Sequence, residues 1–104
     1  MESVTFPIYL KDFEDRSFEL SRKTAEKIEF HHGVSNAIDT VTGILRGPDF
    51  VYESNWAGDH HLYYRSYNHK KFYIVVVADV TEKRIDTAYI SNKIKKGKLL
   101  WKNS

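Results

Sequence analysis

The sequence predicts an α+β fold in which two N-terminal helices pack on a four-stranded antiparallel meander sheet. Helical signals lie only in the first half of the chain, and strand-like runs joined by short polar turns fill the second half. Such short connections favour antiparallel neighbours, because parallel pairs need long crossovers. The chain has 104 residues, which is near the usual size of one domain. We therefore expect a single domain over residues 1–104.

The two helices are predicted from residues that start and stop helices on either side of regularly spaced apolar positions. Ser21 can cap the first helix, and Gly33 can end it. Asn36 can cap the second helix, which the Gly47-Pro48 pair stops. The predicted helices span residues 21–32 and 36–46.

Strand signals dominate the second half, where the run from Ile74 to Ala78 is apolar at every position. Such a run is typical of a central strand that is buried on both faces. Before the helices, residues 4–10 are expected to form only an edge or irregular strand, because Pro7 lacks an N–H. The four main strands are predicted at residues 50–54, 62–67, 72–80 and 84–91. A basic turn at 92–97 and a last short strand at 99–101 are expected to follow.

Composition excludes several classes of protein. The sequence has no cysteine, which rules out a disulfide framework, a thiolate metal site and a cysteine nucleophile. No signal peptide is recognisable, and the longest apolar run is far shorter than the ~20 residues needed to cross a bilayer. We therefore expect a cytoplasmic protein that does not enter a membrane.

Charged and aromatic side chains are unevenly distributed. The formal net charge is only +2, but lysines cluster towards the C-terminus and acidic residues crowd the first thirty positions. Aromatic residues are interleaved with the basic half, which is typical of surfaces that stack unpaired bases. The plainer interpretation is a solvated lysine-rich segment beside ordinary sheet packing. If the surface binds RNA, the expected substrate-binding residues are Tyr64, Lys93 and Lys96.

The histidines and acidic residues do not form a recognisable metal-binding pattern. Adjacent histidines in a strand point to opposite faces, so neighbouring pairs cannot hold one ion as a unit. Asp79 and Asp86, with Glu82, flank one hairpin and could hold Mg²⁺, but acids beside a tight turn usually form the turn itself. We therefore expect no metal and no cofactor. The histidines are His31, His32, His60, His61 and His69.

A further set of polar residues could move protons and hold a phosphate. His31 and His32 end the first predicted helix, where the helix dipole stabilises an imidazolium, although a polar helix end is the plainer interpretation. Arg65 lies between tyrosines in mid-strand. It is either a clamp for a phosphate group or a charge that faces solvent. Thr87 and Tyr89 alternate with small apolar residues and should point away from the core. An imidazole, a guanidinium and two hydroxyls are the groups needed to cleave RNA without a metal.

Residues 61–101 resemble the C-terminal half of the phage-associated barnase–EndoU–colicin E5/D–RelE-like (BECR-fold) nuclease families. The shared pattern is an aromatic strand with an arginine, a hydrophobic strand, a Thr-Ala-Tyr strand, and a basic turn ending in glycine and an aromatic residue. The histidines before Gly33, the second helix and the Pro-Asp-x-Val segment at 48–51 extend the resemblance to about residues 21–101. It implies a barnase/RelE-like arrangement of helices on a four-stranded antiparallel sheet.

The resemblance also implies a function and roles for residues. It implies a metal-independent endoribonuclease, toxin-like or phage-related, whose partners are RNA and an antitoxin or immunity protein. By position, His32 would be the general base or acid, with His31 as the alternative because the histidine is doubled. Arg65 would hold the phosphate, and Thr87 and Tyr89 would orient or protonate the substrate. Two alternatives stay open: a non-catalytic module that binds RNA or a protein partner on the same fold, and an interaction domain with no nucleic-acid role.

The catalytic hypothesis requires a particular strand register. The last hairpin should pair Asp79 with Arg84 across a four-residue turn. In that register Thr87 and Tyr89 lie on the face of Ile74, because opposite residues project to the same side.

Arg65 must lie on this face as well if it is to hold the phosphate. It does so if it pairs with Phe72, as a two-residue loop would allow. It turns away if it pairs with Tyr73, since a one-residue slip turns every side chain over. If Arg65 points away, a lysine of residues 93–98 becomes the next candidate, and the non-catalytic function is favoured.

Overall fold

The computed structural model describes residues 4–56, 59–67, 71–95 and 97–103. Within these residues a β-hairpin comes first, two helices follow, and the remaining strands come after the helices. In chain order the elements are β1 (Ile8–Lys11), β2 (Ser17–Leu20), α1 (Arg22–Phe30), α2 (Ala37–Arg46), β3 (Phe50–Glu53), β4 (His60–Tyr67), β5 (Phe72–Asp79), β6 (Arg84–Ser91) and β7 (Leu99–Lys102).

The two helices begin and end within two residues of their predicted limits. Ser21 caps α1 as expected, because its hydroxyl accepts the Thr24 N–H at 3.1 Å. Asn36 makes no side-chain cap and adopts a left-handed conformation with φ 51°. The Ala37 N–H donates instead to the Glu29 carboxylate at 2.9 Å. A side chain at the end of α1 therefore caps α2 and ties the two helices together. Neither helix in the described chain is long and apolar enough to span a membrane.

The sheet is the element for which the predicted fold class is wrong. Its seven strands lie in the order β1-β2-β6-β5-β4-β3-β7. The segment from β3 to β6 is an antiparallel meander with β5 between β4 and β6, as predicted. The β1–β2 hairpin extends one edge, where β2 meets β6 through a single parallel pair, Glu19 with Arg84. Strand β7 extends the other edge by pairing with β3. The result is a mixed seven-stranded sheet rather than a four-stranded antiparallel meander.

The strands at the edges are short, and the sequence pattern indicates only two of them, at residues 4–10 and 99–101. Strands β1, β2 and β7 have four residues each, which is barely two cycles of the two-residue alternation that marks a strand. Their positions depend on contacts with distant parts of the chain, which a local pattern does not contain. The strand expected at residues 4–10 is therefore present as β1, whereas β2 and the hairpin that the two strands form are not indicated by the sequence pattern.

Asp12 anchors this hairpin to the rest of the sheet. Its buried carboxylate accepts the N–H groups of Glu14 and Arg16, each at 2.9 Å, and the Arg16 Nε–H at 2.8 Å. The Tyr63 hydroxyl of β4 donates to it at 2.6 Å. Burial opposes the charge, but the hydrogen bonds from Tyr63 and the turn outweigh it and lower the pKa of Asp12. The carboxylate therefore stays ionised and holds the hairpin on β4.

The two faces of the sheet are covered differently. Helices α1 and α2 cover one face, where the main core includes Ile28 and Val41 from the helices and Tyr63 and Val76 from the strands. The opposite face carries five aromatic rings and is called the aromatic face below. Those rings belong to Phe50, Tyr52, Tyr64, Tyr73 and Tyr89.

Residues 92–98, called the strap below, connect β6 to β7 by crossing the aromatic face; residue 96 lies outside the described residues. Ile94 packs against the aromatic side chains. The Lys95 N–H donates to the Tyr64 hydroxyl at 2.8 Å, and Lys98 accepts the Glu53 N–H at 2.7 Å through its carbonyl. The predicted basic turn is thus a cover that holds lysines over the sheet.

Candidate functional site

A β-bulge in β6 decides which face carries the predicted site residues. The hairpin begins with Asp79 opposite Arg84, as predicted. The register then shifts by one residue, so that Thr87 lies opposite Val77, and Tyr89 lies on the same face. Both residues are therefore on the aromatic face. The expectation that they share a face with Ile74 is wrong, because the bulge turns over every side chain that follows it.

Arg65 lies on the opposite, helix-covered face. It pairs with Ile74, and its Nη1 donates to the Gly43 carbonyl of α2 at 3.3 Å. The predicted loop between β4 and β5 includes residues 68–70, which lie outside the described residues. The expectation that Arg65 shares a face with Thr87 and Tyr89 is wrong, so the structure does not bring this guanidinium together with the two hydroxyls.

His32, by contrast, reaches Tyr89. Strand β2 pairs with β6 only at Arg84, and α1 packs against β6. The Lys27 ammonium of α1 donates to the Asp86 carbonyl at 2.9 Å. This contact positions the end of α1 beside β6, where the His32 and Tyr89 ring centroids are 6.2 Å apart.

Lys95 of the strap completes this cluster. Its ammonium lies 5.6 Å from the centroid of the Tyr89 ring, within the range of a cation–π contact. Its backbone is held by the Tyr64 hydroxyl. A helix end, a strand and the strap thus bring an imidazole, a phenol and an ammonium to one place. The sequence pattern alone indicates only that a lysine of residues 93–98 could take this position.

Thr87 lies two residues before Tyr89 on the same face of β6. Its hydroxyl oxygen is buried and has no hydrogen-bond partner among the described residues. Buried hydroxyls are normally paired, since an unpaired one loses its bonds to water without replacement. The cluster formed by His32, Thr87, Tyr89 and Lys95 is called the candidate site below.

The other predicted residues take different positions. Tyr64 is fully buried, and burial raises the pKa of its hydroxyl; it therefore positions the strap and does not face solvent as a substrate-binding residue would. His31 is exposed and forms the C-terminal cap of α1. Lys93 is exposed, and its backbone makes two hydrogen bonds to Ser91. Lys96 lies outside the described residues.

A second polar cluster lies at the other end of β6; sequence reasoning considered its Asp79 and Asp86 but missed that they meet His60. The His60 ring has Nδ1 3.0 Å from an Asp59 oxygen and Nε2 2.7 Å from an Asp86 oxygen. A carboxylate oxygen of Asp79 lies 3.5 Å from Nε2. Burial opposes the imidazolium, but the hydrogen bond with Asp59 and the charge of Asp86 outweigh it and raise the pKa of His60. The signal that could have revealed this cluster is the pairing of His60 with Asp79, which follows from the register between β4 and β5.

This cluster has ligand types that metals use. The ligand atoms of Asp59, His60 and Asp79 lie within 4.8 Å of one another. Both ring nitrogens of His60 face carboxylates, and Asp79 Oδ1 accepts the N–H groups of Thr81 and Glu82 at 3.0 and 2.9 Å. His60 is therefore held as an imidazolium between carboxylates, and Asp79 also accepts the hydrogen bonds that form the turn after β5.

No protein-family model, curated protein or solved structure matched this chain in the three comparisons that we made. The resemblance to the BECR-fold nucleases therefore remains an expectation from the sequence motifs. Function has to be argued from the geometry of the candidate site.

Proposed function

We propose that this protein is a metal-independent endoribonuclease that acts at the candidate site. The observation that carries the proposal is the meeting of His32 and Lys95 with the Tyr89 ring beside β6. These side chains supply an imidazole for proton transfer, a phenolic hydroxyl and a cation for phosphate. The Thr-Ala-Tyr strand and the histidine before glycine are also the motifs that resemble BECR-fold nucleases.

The proposed reaction is transfer of the phosphoryl group to the neighbouring 2′-oxygen. His32 accepts the proton of the 2′-OH as the bond from that oxygen to phosphorus forms. Lys95 stabilises the negative charge that develops on the phosphorane oxygens, and the buried Thr87 lies beneath the site on the same strand face and does not contact the RNA. The bond from phosphorus to the 5′-oxygen breaks, and Tyr89 protonates that oxygen. The products are a 2′,3′-cyclic phosphate and a 5′-hydroxyl.

The principal experiment is incubation of end-labelled single-stranded RNA with the protein in the presence of EDTA. We expect cleavage in EDTA, with products that end in a 2′,3′-cyclic phosphate. His32→Ala should lower the rate by 10²-fold or more, the scale of general acid–base catalysis. The matched control is His31→Ala, which removes the adjacent exposed imidazole and should retain the rate constant at saturating RNA. Activity that disappears in EDTA and returns with Mg²⁺ would contradict the proposal.

Two lysine variants of the strap distinguish the role of the Lys95 position from the general effect of its positive charge. Lys95→Ala should lower the rate constant at saturating RNA, whereas Lys93→Ala, which removes the same charge from the same strap, should weaken binding alone. Arg65→Ala should leave cleavage nearly unchanged because its guanidinium lies on the other face. Equal urea midpoints for the compared variants would show that lost activity is not lost folding. A large loss of activity in Arg65→Ala with the fold intact would contradict the site assignment.

The second candidate function is RNA binding without cleavage, on the same surface. It is favoured by exposed lysines of the strap beside a sheet face rich in aromatic side chains, the combination that non-specific single-strand binding uses. RNA retention that falls steeply with salt, with intact RNA after long incubation, would favour this function over catalysis.

The toxin-like role and its partner are also part of the proposal. A cytoplasmic ribonuclease should arrest the growth of a bacterial host when it is expressed, and His32→Ala should relieve the arrest. The antitoxin or immunity protein would present acidic side chains to the strap and would compete with RNA for it. Growth arrest that persists with an inactive, folded His32→Ala protein would contradict a role through RNA cleavage.

A further inference from the structure

The exposed side of α1 carries an aromatic ring beside the candidate site. Phe30 is the last residue of α1 and is 79% exposed, although the opposite side of the same helix is buried through Ala25 and Ile28. Lys23 and Lys27 precede Phe30 by seven and three residues, so the three side chains form one stripe along the helix. The ring is thus presented to solvent with two cations on the same side.

This stripe forms one side of a shallow groove. The groove has a volume of about 550 Å³ and is lined by Lys23, Glu26, Lys27, Phe30, His31 and His32. Four of these side chains are basic and one is acidic, so the groove attracts anions. His32 belongs both to this groove and to the contact with Tyr89. The groove is therefore continuous with the candidate site.

We propose that this groove binds the nucleotide next to the scissile phosphate of single-stranded RNA, with its base stacked on Phe30. This inference rests on the proposed function for the nature of the ligand. The lysines on the Phe30 side of α1 contact the adjoining phosphates, and His32 lies at the end of the groove that faces the bond to be cleaved. Base stacking on an exposed ring between cations is how proteins hold unpaired nucleic acid with little sequence preference.

The alternative occupant, a second copy of the chain, fits the surface less well. One aromatic side chain buries at most roughly 150–250 Å², whereas stable interfaces bury about 800 Å² per partner. The residues beside Phe30 are charged, and like charges would face one another across a symmetric contact. Charge complementarity therefore favours a nucleic acid over self-association.

The test measures binding separately from cleavage. The probe is a fluorescent DNA single strand of about eight nucleotides, which has no 2′-OH and so cannot be cleaved by the proposed reaction. Phe30→Ala should weaken its binding about 5- to 150-fold, the range expected for one base stacked on one ring. Phe30→Trp should retain binding. Trp56→Ala, which removes a ring that is 90% exposed but lies outside the groove, should leave affinity unchanged.

A probe with abasic positions identifies the contact as stacking. If a base stacks on Phe30, full abasic replacement should remove the difference between Phe30→Ala and the unchanged protein. Affinity that is unaffected by Phe30→Ala, or an equal loss on abasic and normal probes, would overturn the inference. A dimer in sedimentation that disappears in Phe30→Ala would also overturn it, in favour of self-association. Absence of RNA cleavage with Phe30-dependent binding would refute the proposed catalysis and leave the groove assignment standing.

Discussion

Gly97 should tolerate no side chain, because the strap passes against the backbone of β3 there. A Cβ added at Gly97 would lie 1.9 Å from the Glu53 carbonyl oxygen and 3.1 Å from Asn55 Oδ1. The Glu53 backbone is bonded in turn to the strap through the Lys98 carbonyl. Strand β3 is paired on both sides, by β4 and β7, so it cannot move aside freely. The strap must therefore shift by about 1.5 Å to restore ordinary contact distances.

The cost of this shift can be estimated from overpacked cores. Forcing an extra carbon into a packed site costs about 1–3 kcal/mol. With a urea dependence of about 1 kcal/mol per molar for a domain of this size, the unfolding midpoint of Gly97→Ala should fall by about 1–3 M. Displacement of the strap should also move Lys95 away from Tyr89 and weaken RNA binding. Urea unfolding followed by circular dichroism measures the first effect, and RNA titration measures the second.

The matched control is Gly43→Ala in α2. A Cβ at Gly43 would meet Arg65 Nη1 at 3.6 Å, which is ordinary contact, and alanine is preferred to glycine inside a helix by about 0.5–1 kcal/mol. The same substitution should therefore raise the midpoint here and lower it at Gly97. A Gly97→Ala protein with an unchanged midpoint and unchanged RNA affinity would refute the placement of the strap against β3.

Two further predictions concern the buried charges. The pKa of His60 is raised in the folded protein by the hydrogen bond with Asp59 and the charge of Asp86, which outweigh burial. The stabilisation by the charged His60 is thus fully present below pH 6.5 and is lost as the pH rises through the folded pKa. The urea midpoints of the wild-type protein and of His60→Gln should therefore converge above that pKa. A constant difference between the two midpoints from pH 5 to 9 would contradict this prediction. Asp12→Asn should lower the free energy of unfolding by about 1.5–3 kcal/mol, because it weakens the charged hydrogen bonds to a buried carboxylate while Arg16 stays partly solvated. The wild-type protein should lose the stabilisation by Asp12 as the pH falls below 3.8, since the folded pKa of Asp12 is lowered. If Asp12→Asn loses less than 1 kcal/mol of unfolding free energy at pH 7, the Asp12 network does not hold the hairpin.

Long, strongly patterned segments could be predicted from the sequence alone. Each helix has a start signal and a stop signal about a dozen residues apart, and the run from Ile74 to Ala78 is typical of a buried strand between two neighbours. Short turns at both of its ends made these neighbours antiparallel. Local sequence also determined that the histidines would lie at the end of a helix and that Thr87 and Tyr89 would share one face of a strand. Each of these features depends on residues close together in the chain.

Tertiary structure decided which of these features meet. The bulge at the start of β6 arises where Asp86 reaches His60 and Lys27, and neither contact is encoded near the turn that was expected to set the register. That single extra residue places Thr87 and Tyr89 on the face opposite Arg65. The strap could be predicted as a basic turn, but its path across Tyr64 depends on where β7 pairs, at the far edge of the sheet. The sequence by itself thus determined the chemical groups and their local periodicity. Long-range pairing chose which groups share a surface, because a register shift of one residue reverses every side chain beyond it.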